Sequence, residues 1–404
     1  MSVEIRPAAP DELPAALAPI THYFGSAGEP SEDHTLGVTR VLPEGRMHAA
    51  FAGEAIVGSA GAFAFDLTVP GARVPTAGVT VVGVLPTHRR RGILRRLMRA
   101  QLDDVHARGE PLAALWASEG GIYGRFGYGL ASLCGELEIR RTHAAFARPV
   151  PWAGEARLVP VGEALASLSG VYDRVAAETP GMLGRTEEWW RSRVLDDPEW
   201  RRAGGGEKAC AVLETADGPE AYALYRVNYG FADGISTGVT LVLEAMGVSP
   251  AATAAVWRYL LDIDWMERVR ASLLPIDHPL RLLLADPGKA RFRIGDGLWL
   301  RLVDVEAALA ARGYAAEDAV VVEVSDEFCP WNQGRYRLGR DAGRADASAD
   351  LRLDVAALAS VYLGGFGFAD LLRAGLVEEV ADGAVARADA LVRTGRAPWC
   401  PENF

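Results

Sequence analysis

The sequence predicts a mixed α+β chain: two successive copies of one strand-rich unit, then a third unit of different order. Three observations carry this. Residues 1–148 read in the order β, α, βββ, α, β, irregular turn, β. A weaker echo of the strand-then-helix step follows over 149–290. Over 291–404 the strands and helices recur in another order. At 404 residues the chain exceeds one ordinary core, which agrees with several domains.

"VEIRPAA" is a short strand, and Asp11 is placed to cap a helix through "DELPAALAPITHYF". The stretch from Arg46 to Val84 divides into three antiparallel strands, with turns at "AGEA" and "VPGARVP" where Gly and Pro punctuate. Leu94, Leu97, Met98, Leu102 and Val105 then recur on one helical face. "PLAALWAS" is a buried strand, "EGGIYGRFGYG" a glycine-broken connection, and "LCGELEIRR" a further strand of the first unit. One helix separates "GVTVVGV" from "PLAALWA", so these two strands can pair in parallel through a crossover.

In the second unit a helical region precedes strands at "KACAVLE", "EAYALYRVNY" and "GVTLVLEAMGV" and the helix "SPAATAAVWRYLLDI". Here "LPTHRRRGILRRLM" has become "VSPAATAAVWRYLL", without the arginines and the glycine. The third unit has strands at "DAVVVEVSDEF", "GRYRLGR" and "ADLRLDV" and helices at "VAALASVYLGGF" and "GAVARADALVRTG". "GLWLRLVDVEAALAARGY" fits the end of the second unit or the start of the third.

Half the residues are hydrophobic and 24% are charged, the balance of a soluble globular protein. The apolar runs are strand-sized, too short for a membrane span, and the N-terminus lacks the pattern of a signal peptide. Cys134, Cys210, Cys329 and Cys400 lie far apart with no CxxC pair, which suits a reducing cytoplasm. No HExxH occurs among the histidines, so no metal is expected. A net charge of −11 disfavours nucleic acid and favours cationic partners.

Against that acidic background stands "VLPTHRRRGILRRL", Val84 to Leu97. Arg89, Arg90 and Arg91 precede a predicted helix whose dipole disfavours cations at that end. An anion resolves the conflict. Gly92 lets backbone N–H groups approach a ligand, and these with the arginines make a phosphate or pyrophosphate cradle. The preceding strand ends at a proline, which leaves its last backbone groups free for an extended ligand. Neither GxxxxGK[ST] nor GxGxxG is present. The competing account is a solvated basic helix with no ligand.

"VVGVLPTHRRRG" resembles the acetyl-CoA pyrophosphate loop, (Q/R)xxGx(G/A), of the GNAT N-acetyltransferase superfamily. Arg89 and Gly92 match, Ile93 continues the loop, and Leu94 departs where Gly or Ala is usual. "SEGGIYGRFGYG" is more specific and, with the two-copy order and aromatic C-terminus, resembles the Eis branch of that superfamily. The resemblance covers essentially the whole chain. It implies tandem GNAT-like domains (mixed central sheets with flanking helices) followed by a sterol-carrier-protein-like α+β domain. It further implies a hexamer, acetyl-CoA as co-substrate and acetylation of aminoglycoside-type amines.

On the same resemblance, Tyr123 protonates the departing thiolate in preference to Tyr128, which is read as core packing with a satisfied hydroxyl. Backbone groups of Val82, Gly83 and Val84 pair with the pantetheine amides, one N–H holding the thioester oxygen. Ser118 lies beside the pantetheine arm or is a plain helix cap. Glu119 and Asp66 are candidate bases by position only, and each reads first as a solvated carboxylate. "TGRAPWCPENF" is stiff and apolar for a terminus, and the resemblance implies that the carboxylate of Phe404 returns to the active site as base or amine anchor. Water is the alternative proton carrier. Two further readings stay open: a protein lysine acetyltransferase, and a non-catalytic lipid- or small-ligand-binding protein.

Overall fold

The structure, a computed structural model, describes residues 3–24, 32–202 and 204–404. The chain forms two compact units. One comprises residues 1–132, 298–398 and 403–404; the other comprises 133–297 and 399–402.

In the first unit, β1 (Glu4–Pro7), β2 (Met47–Ala52), β3 (Ala55–Val69), β4 (Ala72–Val84) and β5 (Leu112–Trp116) lie side by side in that order. The β1–β4 pairs are antiparallel and β4–β5 is parallel, as the single crossover helix requires. α1 (Leu13–Thr21) and α2 (Glu32–Thr39) precede β2. The crossover helix, α3 (Ile93–Ala107), buries Ile93, Leu97, Met98, Leu102 and Val105, while Leu94 is only partly covered. Asp11 is not a cap. It sits in a 3-10 turn, and the neighbouring Glu12 carboxylate accepts from the Ala9 N–H at 2.8 Å while pairing with Arg6. The longer acid reaches back across the turn to the backbone group that a cap would satisfy.

The strand Leu133–Arg140, read from sequence with the first unit, pairs in the second unit's sheet, antiparallel to Met266–Leu274. The strand Leu298–Leu302, inside the ambiguous "GLWLRLVDV" stretch, pairs antiparallel with β5 and with Gly129–Leu130, both in the first unit. Hydrophobic alternation identifies a strand but not its partner, so both crossings escape the sequence. The C-terminal domain belongs to this same unit. Its five-stranded sheet contains Val320–Ser325, Gly334–Leu338 and Leu351–Asp354 as expected, plus short edge strands Gly343–Arg344 and Val377–Glu379, and a helix Phe368–Arg373 precedes the last of these.

The second unit repeats the crossover: strand Gly238–Gly247, helix Pro250–Leu261 and parallel strand Met266–Leu274. Trp257 in that helix packs edge-on against His278, ring centroids 5.0 Å apart. His278 Nδ1 accepts the Leu280 N–H at 3.1 Å, so the ring is neutral, and burial pushes it down to about 4. In the unfolded chain a histidine titrates near 6.5 and binds the proton that the folded ring refuses. Stability is therefore full above about pH 6.5 and falls as the pH drops toward 4, by roughly 2 kcal/mol at pH 5. Urea titrations at pH 7 and pH 5 should show this loss, and His278→Gln should shrink it; an unchanged pH dependence in that variant would dismiss His278 as its source.

Candidate active site

β4 and β5 pair only from Thr76–Leu112 to Gly78–Ala114. Beyond Gly78, β4 runs on to Val84 with no strand on that side among the described residues, and the edge it leaves borders a cleft of 780 Å³. A bulge lies within this free segment. The β3–β4 register shifts between Ser59 and Gly61, and Val81 takes φ +54°, with its carbonyl accepting from the Ser59 hydroxyl at 3.1 Å. A bulge re-aims the backbone groups that follow it. Here those belong to Val82, Gly83 and Val84, which all line the cleft.

Gly83 has a second reason to be glycine. A Cβ there would lie 3.1 Å from Ile20 N and Pro19 O, so the end of α1 closes on it. α1 leads into Tyr23, a residue that no sequence motif singles out. Its hydroxyl donates to the Val84 carbonyl and accepts from Arg89 Nε at 2.6 Å, while the Arg89 guanidinium stacks 4.3 Å over its ring. Tyr23 thus fixes both the end of β4 and the first arginine. Its partners are more than sixty positions away, which no local pattern encodes.

The arginines precede the helix, and Gly92 is its N-cap. Arg90 (φ +61°) and Gly92 (φ +77°) both take left-handed conformations, folding the loop back on itself. Gly92 has no side chain to cap α3, which leaves the helix's first N–H groups without that partner where Gly92, Ile93, Leu94 and Arg95 line the cleft. Arg89, Arg90, Gly92, Ile93, Leu94, Arg95 and His88 line the wall there, but Arg91 does not. Several cations around an uncapped helix start fit a polyphosphate, and the cleft has the volume of a small-ligand site.

Ser118, Glu119, Ile122, Tyr123, Arg125 and Phe126 complete the wall. The helix Gly120–Tyr123 has Glu119 at its N-cap with no side-chain bond, so Ser118 is not a cap. Burial, with the Glu119 charge adding to it, pushes the Tyr123 hydroxyl up to about 12. Tyr128 is fully buried and outside the cleft, its ring edge-on to Tyr123 at 6.0 Å. Its hydroxyl has no hydrogen-bond partner among the described residues, contrary to the satisfied core tyrosine expected. Phe404 does not line the cleft either. Its ring packs on Phe65 (5.1 Å) and Phe63 (6.5 Å) of β3, and a Cβ on Gly78 would come 3.2 Å from it. It lies along the hairpin whose far end borders the cleft. Asp66 is exposed on β3 and outside the cleft wall; Glu119 is on it.

The second unit has no such cradle. The corresponding helix is capped by Ser249, whose hydroxyl accepts from Ala252 N at 3.1 Å. A Cβ on Gly247 would lie 2.4 Å from Thr253 N, so strand end and helix start are already in contact.

Models of the acetyltransferase (GNAT) domain match residues 4–131 and 181–302, and a sterol carrier protein domain matches 305–401. The chain is 40% identical over 413 residues to an uncharacterized N-acetyltransferase of Streptomyces avermitilis, covering all of both. It is 39% identical over 366 residues to the N-acetyltransferase Eis of Mycobacterium tuberculosis, covering 86% of this chain and 85% of that one. The crystal structure of Eis1 from Mycobacterium abscessus superposes with a TM-score of 0.87 at 36% identity, over 99% of this chain and 100% of that one.

Proposed function

Because the chain belongs to the Eis-like N-acetyltransferases of the GNAT superfamily, we propose that it moves an acetyl group from acetyl-CoA to primary amines of small polycationic molecules, of aminoglycoside or polyamine type. The observation that carries this is the convergence on one cleft of an arginine-lined, uncapped helix start, a free β4 edge and a buried, protonated tyrosine. Acetyl-CoA supplies an activated carbonyl. Arg89, Arg90 and the first N–H groups of α3 hold its pyrophosphate, and Arg91 adds long-range charge from outside the wall. Val82, Gly83 and Val84 present backbone groups to the pantetheine arm beside Ser118, and an N–H there polarises the thioester oxygen. The amine nitrogen bonds to the carbonyl carbon as the carbon–sulfur bond breaks. Tyr123 donates to the departing sulfur, and the Phe404 carboxylate, which lies along the β3–β4 hairpin rather than on the cleft wall, takes the ammonium proton directly from an acceptor that extends to it or through water.

The net charge of −11 favours a cationic acceptor. Intact-mass measurement of acetylation across polyamines, aminoglycosides and lysine-bearing proteins tests the acceptor class. Modification of proteins alone would replace the small-amine reading, and no acetylation of any would leave a ligand-binding role. By family likeness the subunits form a hexamer in the cytoplasm, where four unbridged cysteines are at home. Sedimentation at micromolar concentration checks the assembly. No helix among the described residues is long and apolar enough to cross a membrane.

One acetyl-CoA is expected per chain, since the second unit's helix start is capped and packed. Isothermal titration finding two equivalent sites would contradict this. Gly92→Val should weaken acetyl-CoA binding by more than tenfold. A Cβ at Gly92 would meet no atom of the described residues within 4 Å, so what opposes folding is the left-handed backbone, roughly 1–2 kcal/mol. The remaining effect reports blocked approach of the ligand to the backbone.

A further inference from the structure

The turn that follows Tyr123 rests on a buried cation. Arg301, in the strand Leu298–Leu302, is fully buried, and its Nη2 donates to Asp326 Oδ2 at 2.5 Å. Asp326 is itself held by the N–H groups of Phe328 (3.2 Å) and Cys329 (2.8 Å) and by Asn332 Nδ2 (3.0 Å). Opposite this pair lies Gly127, φ +83°. A Cβ there would come 2.7 Å from both Cζ and Nη1 of Arg301, so the turn closes directly on the guanidinium. The same turn is tied to the tyrosine: Tyr128 N donates to the Tyr123 carbonyl at 3.4 Å, and Phe126 packs edge-on to Phe328 at 5.1 Å.

This arrangement is not the one that stability alone favours. Arg301 Nε and Nη1 and the Tyr128 hydroxyl find no nitrogen or oxygen partner among the described residues, and the guanidinium also acts on the buried Cys329 thiol. Buried ion pairs with unmet donors generally do no better than apolar residues of similar volume. What the pair supplies instead is a planar cation, hydrogen-bonded to a carboxylate that three further donors hold in place, against which the Gly127 turn can take one position.

We propose that Arg301 is a positioning residue for acetyl transfer. With Asp326 of the C-terminal domain it fixes the Gly124–Tyr128 turn, and so the place of the Tyr123 hydroxyl in the cleft. The C-terminal domain is then part of the catalytic apparatus through this contact. The proposal rests on the reading of Tyr123 as proton donor.

Arg301→Met should lower kcat by about tenfold or more, since misplacing a catalytic group by an ångström is that costly. KM for acetyl-CoA should stay within about twofold, because the arginine cradle is untouched. Arg301→Lys, which keeps a cation opposite Asp326, should recover part of the rate. Tyr123→Phe with Arg301→Met should be no slower than Tyr123→Phe alone, since there is then no hydroxyl left to place. Leu391→Ala, in the core of the last helix, is the control for lost stability and should leave kcat unchanged. Should Arg301→Met fail to fold, Asp326→Asn is measured in its place with the same split expected. Wild-type kcat in these variants, or defects that multiply with Tyr123→Phe, overturns the proposal while leaving the tyrosine in its role. Full activity in Tyr123→Phe removes the proton donor, and the proposal with it.

Discussion

Tyr123→Phe is expected to lower kcat for acetyl transfer by about a hundredfold, at the lower end of the 10²–10⁴ range for a general acid, and to leave acetyl-CoA binding intact. The low end follows from the site. The hydroxyl is pushed up to about 12 by burial and the nearby Glu119, whereas an ordinary thiol titrates near 8.5. Full transfer from such a donor to a free thiolate is uphill by about three and a half pH units. Its main effect is therefore a hydrogen bond that strengthens as charge gathers on sulfur. Phenylalanine keeps the ring and its edge-on contact with Tyr128, so fold and cleft persist. The sign of the shift also fixes a pH result. A tyrosine raised to about 12 stays protonated through the working range, so no fall in kcat below about pH 11 belongs to it. Wild type and Tyr123→Phe should give pH–rate profiles of the same shape, offset in height. An alkaline limb lost in the variant would show instead that Tyr123 titrates in that range.

The elements around the cleft are readable from sequence because each depends on local periodicity. β4 shows strand character up to its proline, α3 carries a 3.6-residue stripe, and the crossover between β4 and β5 allows the parallel pair that forms. The arginine loop is readable for a different reason: its charge conflicts with the helix it precedes unless an anion is present. What stays hidden depends on distant partners. Tyr23 acquires its role from Val84 and Arg89, and Arg301 from Gly127 and Asp326. Gly83 reads in sequence as a place for ligand approach alone, but it also lets α1 close on β4. The strand Leu133–Arg140 shows the same limit at the level of topology, because its alternation is the same whichever sheet receives it.

Extending the chain by a few residues beyond Phe404 is expected to abolish acetyl transfer while acetyl-CoA affinity and the unfolding temperature stay near wild type. The tail is held along its length. In the second unit Trp399 N donates to Pro180 O at 2.8 Å, Trp399 Nε1 to Leu273 O at 2.5 Å, and Glu402 pairs with the buried Arg185. In the first unit the Phe404 ring sits on Phe65 against Gly78. These contacts come from residues that an extension leaves in place, so folding is preserved. The terminal carboxylate, however, becomes a neutral amide that can neither accept an ammonium proton nor anchor a cationic amine. Phe404→Ala makes the opposite change, removing the ring and keeping the charge, and should retain more activity than the extended protein. Combining the extension with Tyr123→Phe should cost less than the product of the two defects, as for groups acting in one step. Full activity in the extended protein would make the tail packing only. The amine would then lose its proton to water or to Glu119, the one carboxylate on the cleft wall among the described residues.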